Sequence, residues 1–112
     1  MSSYRELKVW HLSYETARDV YLLCQKLPKQ EQFGLISQLQ RCAVSIPSNI
    51  AEGQQRNGVK EFKQFLGIAR GSAAELSTQL LLASDIYKID TSVIVAKVEQ
   101  IQKMLYSLQN KL

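Results

Sequence analysis

Two carboxylates, Glu52 and Glu75, and two guanidiniums, Arg41 and Arg56, are the groups in this 112-residue chain whose spacing could bring them into common chemistry. Arg41, Ser45, Asn49, Glu52 and Arg56 recur at spacings of four, four, three and four. On a helix such a repeat forms one line. Ser72, Glu75 and Gln79 repeat at three and four on a later segment and can face it. A guanidinium pairs with a carboxylate through two parallel hydrogen bonds, and an asparagine amide can bridge both. Two chemistries are open to such a set. One is a structural network, Arg41, Ser45, Asn49, Glu52, Arg56, Ser72 and Glu75, that holds two helices or two subunits in register. The other is a catalytic or ligand site built on Glu52 and Glu75. A dry network must be fully partnered, because an unpaired buried charge costs on the order of several kcal/mol.

The residue types favour the structural reading. Di-metal carboxylate bundles take a Glu-x-x-His pair from each of two helices, and neither Glu52 nor Glu75 has a histidine three positions on. There is no Gly-x-Ser-x-Gly elbow and no phosphate-cradling loop of the Walker type. The single histidine, His11, cannot build a metal site with Cys24 and Cys42 at their spacing. Both cysteines fall inside helical patterns and read as small buried thiols. The expectation is a protein that is not an enzyme, with no catalytic residue, no cofactor and no metal.

Four amphipathic helices position these residues. Leu7, Trp10, Tyr14, Ala17, Tyr21 and Cys24 repeat at three and four, predicting a helix over about 6–26 that ends at Leu27-Pro28. Leu35, Leu39, Cys42, Ala43, Ile46 and Ile50 predict a second helix over about 31–55, with a kink at Pro47. Phe62, Phe65, Leu66, Ala69, Ala73, Leu76, Leu80 and Ala83 line a third over about 59–87. Its Gly67, Gly71 and Ala74 form a small-residue side that invites a neighbouring backbone. Ile94, Val98, Ile101, Leu105, Leu108 and Leu112 form the seam of a fourth, capped by Asp90 or Thr91. With no alternating strand pattern, the fold class is all-α: one domain over 1–112, an antiparallel up-down-up-down four-helix bundle. The second helix also carries an uncharged face, Ser37, Gln40, Val44, Pro47, Ala51 and Gln55. A lone bundle would charge its outer face, so this helix is expected to be covered on more than one side.

Hydrophobic residues at 46% are enough for a core, and charged residues at 21% argue against disorder. There is no membrane-spanning apolar run and no signal-peptide block near the start, so no membrane partner is expected and the cytoplasm is the expected location. The net charge of +4 is only mildly basic. Residues 1–30 carry five Lys/Arg against three acids, residues 88–112 four against two, and the centre balances. The surplus therefore belongs to the first and last helices.

The run Arg41-Cys42-Ala43-Val44-Ser45-Ile46-Pro47-Ser48-Asn49-Ile50-Ala51-Glu52-Gly53, followed by Arg56, resembles the hallmark of one family. Val9-Trp10, Phe33-Gly34-Leu35 with Gln38, Glu61-Phe62 through Phe65-Leu66, and Ala69-x-Gly71-Ser72 with Glu75-Leu76 and Gln79-Leu80 extend it over nearly the whole chain. The resemblance is to the four-helix-bundle proteins encoded within intervening sequences of bacterial 23S rRNA genes. Cys42 departs from the pattern, where a small residue such as alanine is expected. What the resemblance implies is a ring-like homopentamer, in keeping with the uncharged face of helix two. The family is similar to the accessory variability proteins of diversity-generating retroelements, basic pentamers that bind nucleic acid and a reverse transcriptase.

Two functions follow. The first is a non-catalytic oligomer that binds RNA or DNA through its basic outer helices, with Arg18, Lys60, Lys63, Arg70, Lys97, Lys103 and Lys111 as phosphate contacts. With no exposed aromatics interleaved among them, that contact is expected to be backbone-directed and salt-sensitive. The alternative is a protein-interaction scaffold partnering an RNA-handling or reverse-transcriptase enzyme, without nucleic-acid contact of its own.

Overall fold

The computed structural model describes residues 3–112; Met1 and Ser2, part of the expected single domain, lie outside them. Four α-helices, α1 (Lys8–Cys24), α2 (Leu35–Gln54), α3 (Val59–Tyr87) and α4 (Ser92–Lys111), pack as a bundle 43 Å long, and no strand occurs among the described residues. Short 3-10 turns at Tyr4–Glu6 and Lys29–Glu31 precede α1 and α2. Leu27 stops the chain short of Pro28, as the steric conflict before proline requires. α2 continues through Pro47.

The helix starts are held by local chemistry. Glu31 Oε1 accepts the Leu35 N–H at 3.0 Å, so the α1–α2 connection supplies a partner for a free first-turn amide of α2. The other oxygen of Glu31 accepts from the Tyr87 hydroxyl and ties that connection to the end of α3. Asp90 Oδ1 accepts from the Ser92 N–H at 2.9 Å and the Ser92 hydroxyl at 2.7 Å, while the Thr91 side chain makes no capping bond. Gly58 opens α3 at φ 148°, a backbone conformation that any Cβ would strain.

The core is a continuous apolar cluster: Val9, Val20 and Leu23 from α1, Leu39, Ala43, Ile46 and Ile50 from α2, Leu66, Ala69, Leu76 and Leu80 from α3, and Ile94, Val98, Ile101 and Leu105 from α4. For α2, α3 and α4 these residues belong to the expected stripes, while Leu112, the last of the expected α4 seam, is exposed beyond the helix end. α1 differs. It buries Val9, Ser13, Thr16, Val20 and Leu23 together with Ala17 and Cys24 of the expected stripe, whereas Tyr14 and Tyr21 of that stripe are 50% and 46% exposed. The Ser13 hydroxyl donates to the Trp10 carbonyl at 2.9 Å and Thr16 to Leu12 at 2.7 Å. Bonding back to their own helix makes both hydroxyls cheap to bury. The helix thus has two apolar lines, and the one containing polar letters faces the core.

α2 and α3 approach closely at Gly53. A Cβ built there would stand 2.5 Å from Phe65 Cβ and 3.2 Å from Phe62 Cδ1. The small-residue side of α3 is used differently. A Cβ at Gly71 meets nothing within 4 Å, and one at Gly67 only Gln109 at 3.5 Å. Among the described residues nothing packs over Gly71.

Candidate functional site

The polar stripe of α2 divides into three parts. At its middle, Asn49 Nδ2 donates to the Ser45 carbonyl at 2.7 Å and to Ser45 Oγ at 2.9 Å. Ser45 Oγ, having accepted that bond, lies 2.8 Å from Ser72 Oγ on α3. At the C-terminal end, Arg56 and Glu52 form an ion pair one helical turn apart at 2.7 Å, with each side chain about half exposed (48% and 52%). The Arg56 guanidinium also lies 5.1 Å from the Phe65 ring centroid. Toward the N-terminal end, Arg41 and Glu75 are exposed and line a groove of about 340 Å³ with Gln38, Cys42 and Gln79. No ion pair within 4 Å joins Glu75 to Arg41 or Arg56 among the described residues. Exposed charges keep their hydration, so nothing forces that pairing.

The groove floor holds Gln79, whose Nε2 reaches Gln38 Oε1 only at 3.5 Å and whose buried Oε1 has no partner. Burial raises the Cys42 thiol above its ordinary value, against a weaker lowering by the Gln79 amide. Burial likewise pushes Cys24 up to about 11. Both thiols are unpaired and protonated at neutral pH. His11 is exposed, bonded to the Arg5 carbonyl and set edge-on against Trp10. Among the described residues no group of three or more His, Cys, Asp or Glu could hold a metal ion. No helix there is long and apolar enough to cross a membrane.

The seven expected phosphate contacts fall into different settings. Lys97 is engaged by α1: its Nζ lies 2.6 Å from Asp19 and 3.4 Å from Glu15, with the side chain 26% exposed. Two carboxylates raise its pKa and cancel its charge toward any ligand. Arg70 is half-buried, its guanidinium donating to Gln109 Oε1 at 2.8 Å and lying 5.0 Å from the Tyr106 ring centroid. Arg18 is exposed on the rim of a groove between α1 and α2. Lys60, Lys63, Lys103 and Lys111 are exposed and form no ion pair among the described residues.

Contacts gather these lysines at one end of the molecule. Lys8 shares a groove with Lys103 and Lys111. Gln109 Nε2 donates to the Lys63 carbonyl at 2.9 Å, and Arg56 lies over Phe65. The segments that these contacts link, residues 5–8, 52–70 and 103–111, carry Arg5, Lys8, Arg56, Lys60, Lys63, Arg70, Lys103 and Lys111 against Glu6, Glu52 and Glu61. The rest of the chain holds six basic residues and seven acids, so this part of the molecule carries a charge of +5 and the remainder −1.

Two features escaped the sequence reading. The first is an apolar groove of about 830 Å³ between α1 and α2, lined among others by Trp10, Tyr14, Tyr21, Leu22, Val44 and Pro47. Tyr4, Trp10 and Tyr14 pack in series along it as tilted rings, with centroids 5.2 and 5.3 Å apart. The two apolar lines of α1 were the available signal. The second is Tyr106, 55% exposed beside Arg70 and Lys103, an aromatic among basic side chains after all.

The family model described as 23S rRNA-intervening sequence protein matches residues 5–107. A crystal structure of a protein of unknown function from the S23 ribosomal protein family of Bacteroides thetaiotaomicron is similar at 28% identity. It covers 90% of this chain and 97% of its own, with a TM-score of 0.83. No curated protein matches.

Proposed function

Starting from the fact that the chain belongs to the 23S rRNA-intervening sequence protein family, we propose that it is a non-catalytic, self-assembling bundle that binds RNA or DNA through its basic end. The concentration of the whole basic excess at one end, with Lys60, Lys63, Lys103 and Lys111 in no ion pair among the described residues, carries this reading. It includes an antiparallel up-down-up-down arrangement, supported by the pairs Ser45–Ser72 and Gln38–Gln79, in which numbers rise along α3 as they fall along α2. It also includes a cytoplasmic location.

Assembly as a ring-like homopentamer is supported by the α1–α2 groove. Exposed contiguous aromatic and aliphatic surface of that kind marks an interaction site, and Val44 and Pro47 belong to the uncharged face of α2. Repeating a basic end around a ring multiplies its phosphate contacts. Light scattering is expected to report a multiple of 12.7 kDa, and a stable monomer would remove the assembly. Labelled RNA is expected to bind at low salt and weaken steeply as salt rises, since each phosphate neutralised releases a counterion. No binding at low salt would remove the nucleic-acid role.

The same aromatic groove favours the second reading, a scaffold whose partner is an RNA-handling or reverse-transcriptase enzyme. That reading rests on the likeness to the accessory variability proteins. It predicts a protein ligand seated on Trp10 and Tyr14 and no affinity for free nucleic acid.

A further inference from the structure

We propose that the groove between α3 and α4 is a base-stacking site for single-stranded nucleic acid, with Tyr106 and the Arg70 guanidinium as its platform and Lys103 as its phosphate contact. This rests on the nucleic-acid reading above and gives it a strand preference.

Tyr106 projects from α4 at a position 55% exposed, and the Arg70 guanidinium lies 5.0 Å from its ring centroid. Arg70 is not loose. Its Nη1 donates to Gln109 Oε1 at 2.8 Å, and Gln109 is itself anchored through Nε2 to the Lys63 carbonyl at 2.9 Å. The guanidinium is therefore held beside the ring before any ligand arrives, and unpaired bases stack on both kinds of surface. Preorganisation lowers the ordering cost of binding.

The rest of the groove suits a flat ligand with a phosphate. Its volume is about 500 Å³, within the range of about 300–1,000 Å³ common to small-ligand sites. Gly67, Gly71 and Ala74 line one side, and the space over Gly71 is open. Lys103 stands one helical turn before Tyr106, and no carboxylate lines the groove. A duplex hides its base faces in its own stack and can use only the lysines. A single strand can use both.

Binding of a short single-stranded oligonucleotide, a duplex of the same length and inorganic polyphosphate to the full chain tests this. Tyr106→Ala is expected to weaken single-strand binding by about 5- to 150-fold, the value of one stacked base. Its polyphosphate binding is expected to stay unchanged, and Tyr106→Phe to bind like the parent. Circular dichroism of each variant confirms the fold. Unaltered oligonucleotide binding by Tyr106→Ala, or equal affinity for duplex and single strand, would overturn the stacking site while leaving a phosphate-directed role intact. Failure of the parent protein to bind any of the three at low salt would overturn both.

Discussion

Gly53 sets two effects of opposite sign against each other. In a helix interior, replacing glycine with alanine removes unfolded-state entropy and gains about 1 kcal/mol. On that ground alone, Gly53→Ala would stabilise α2. The new Cβ, however, stands 2.5 Å from Phe65 Cβ and 3.3 Å from Phe65 Cγ. Phe65 Cβ is fixed to the backbone of α3, so no rotamer change relieves the overlap and the two helices must separate. Overpacking of that kind costs about 1–3 kcal/mol, and a contact with an immovable atom belongs in the upper part of that range. The net expectation is a loss of about 1–2 kcal/mol, which at this chain length lowers Tm by about 4–8 °C. Gly71→Ala is the internal control, because the space there is open. It keeps the propensity gain and should raise stability by about 0.5–1 kcal/mol. Thermal and urea unfolding at one fixed protein concentration reads both. A Gly53→Ala protein as stable as the parent would refute the claim that α2 and α3 are in backbone-limited contact there.

Lys97→Gln should leave the salt dependence of RNA binding unchanged, because Asp19 and Glu15 already hold that ammonium. Lys103→Gln should reduce the slope by about one phosphate contact; equal effects in a salt titration would contradict the assignment. The Tyr87 hydroxyl lowers the pKa of Glu31 below its ordinary 4.5, with the Leu35 amide adding to it. Glu31 raises that of Tyr87 above 10.0. A depressed carboxylate stabilises the fold above its unfolded pKa and loses that stabilisation as pH falls through the folded value; a raised phenol stabilises below its unfolded pKa and loses it on the alkaline side. The stability gap between the parent and Tyr87→Phe should therefore be flat from about pH 5 to 9 and narrow beyond either limit, as unfolding across a pH series would show. Cys24, buried and pushed up to about 11, should resist a thiol reagent at pH 8 until the protein unfolds. Rapid labelling of native protein at Cys24, read by peptide mass, would contradict its burial.

The sequence by itself determined the helices of this protein and three of its four core faces. Leu39–Ile50, Leu66–Leu80 and Ile94–Leu105 carry a period that only a helix can bury on one side. It also narrowed the α4 cap to Asp90 or Thr91, of which Asp90 makes the bond, and, through its uncharged face, marked α2 as a helix with something more to cover. What it could not settle was which of two apolar lines on α1 turns inward. Composition favours the aromatic line. The packed structure takes the line containing Ser13 and Thr16, because their hydroxyls satisfy themselves on their own helix and are small enough to bury against neighbours. That choice leaves Tyr14 and Tyr21 on the surface with Trp10 half-buried beside them, and creates the α1–α2 groove. Charge behaved the same way. Counting along the chain assigned the excess to the first and last helices, while contacts between helices gather it around residues 5–8, 52–70 and 103–111 and Asp19 withdraws Lys97 from it. Burial, pairing and exposure are relations between helices, and a repeat within one helix carries no information about them.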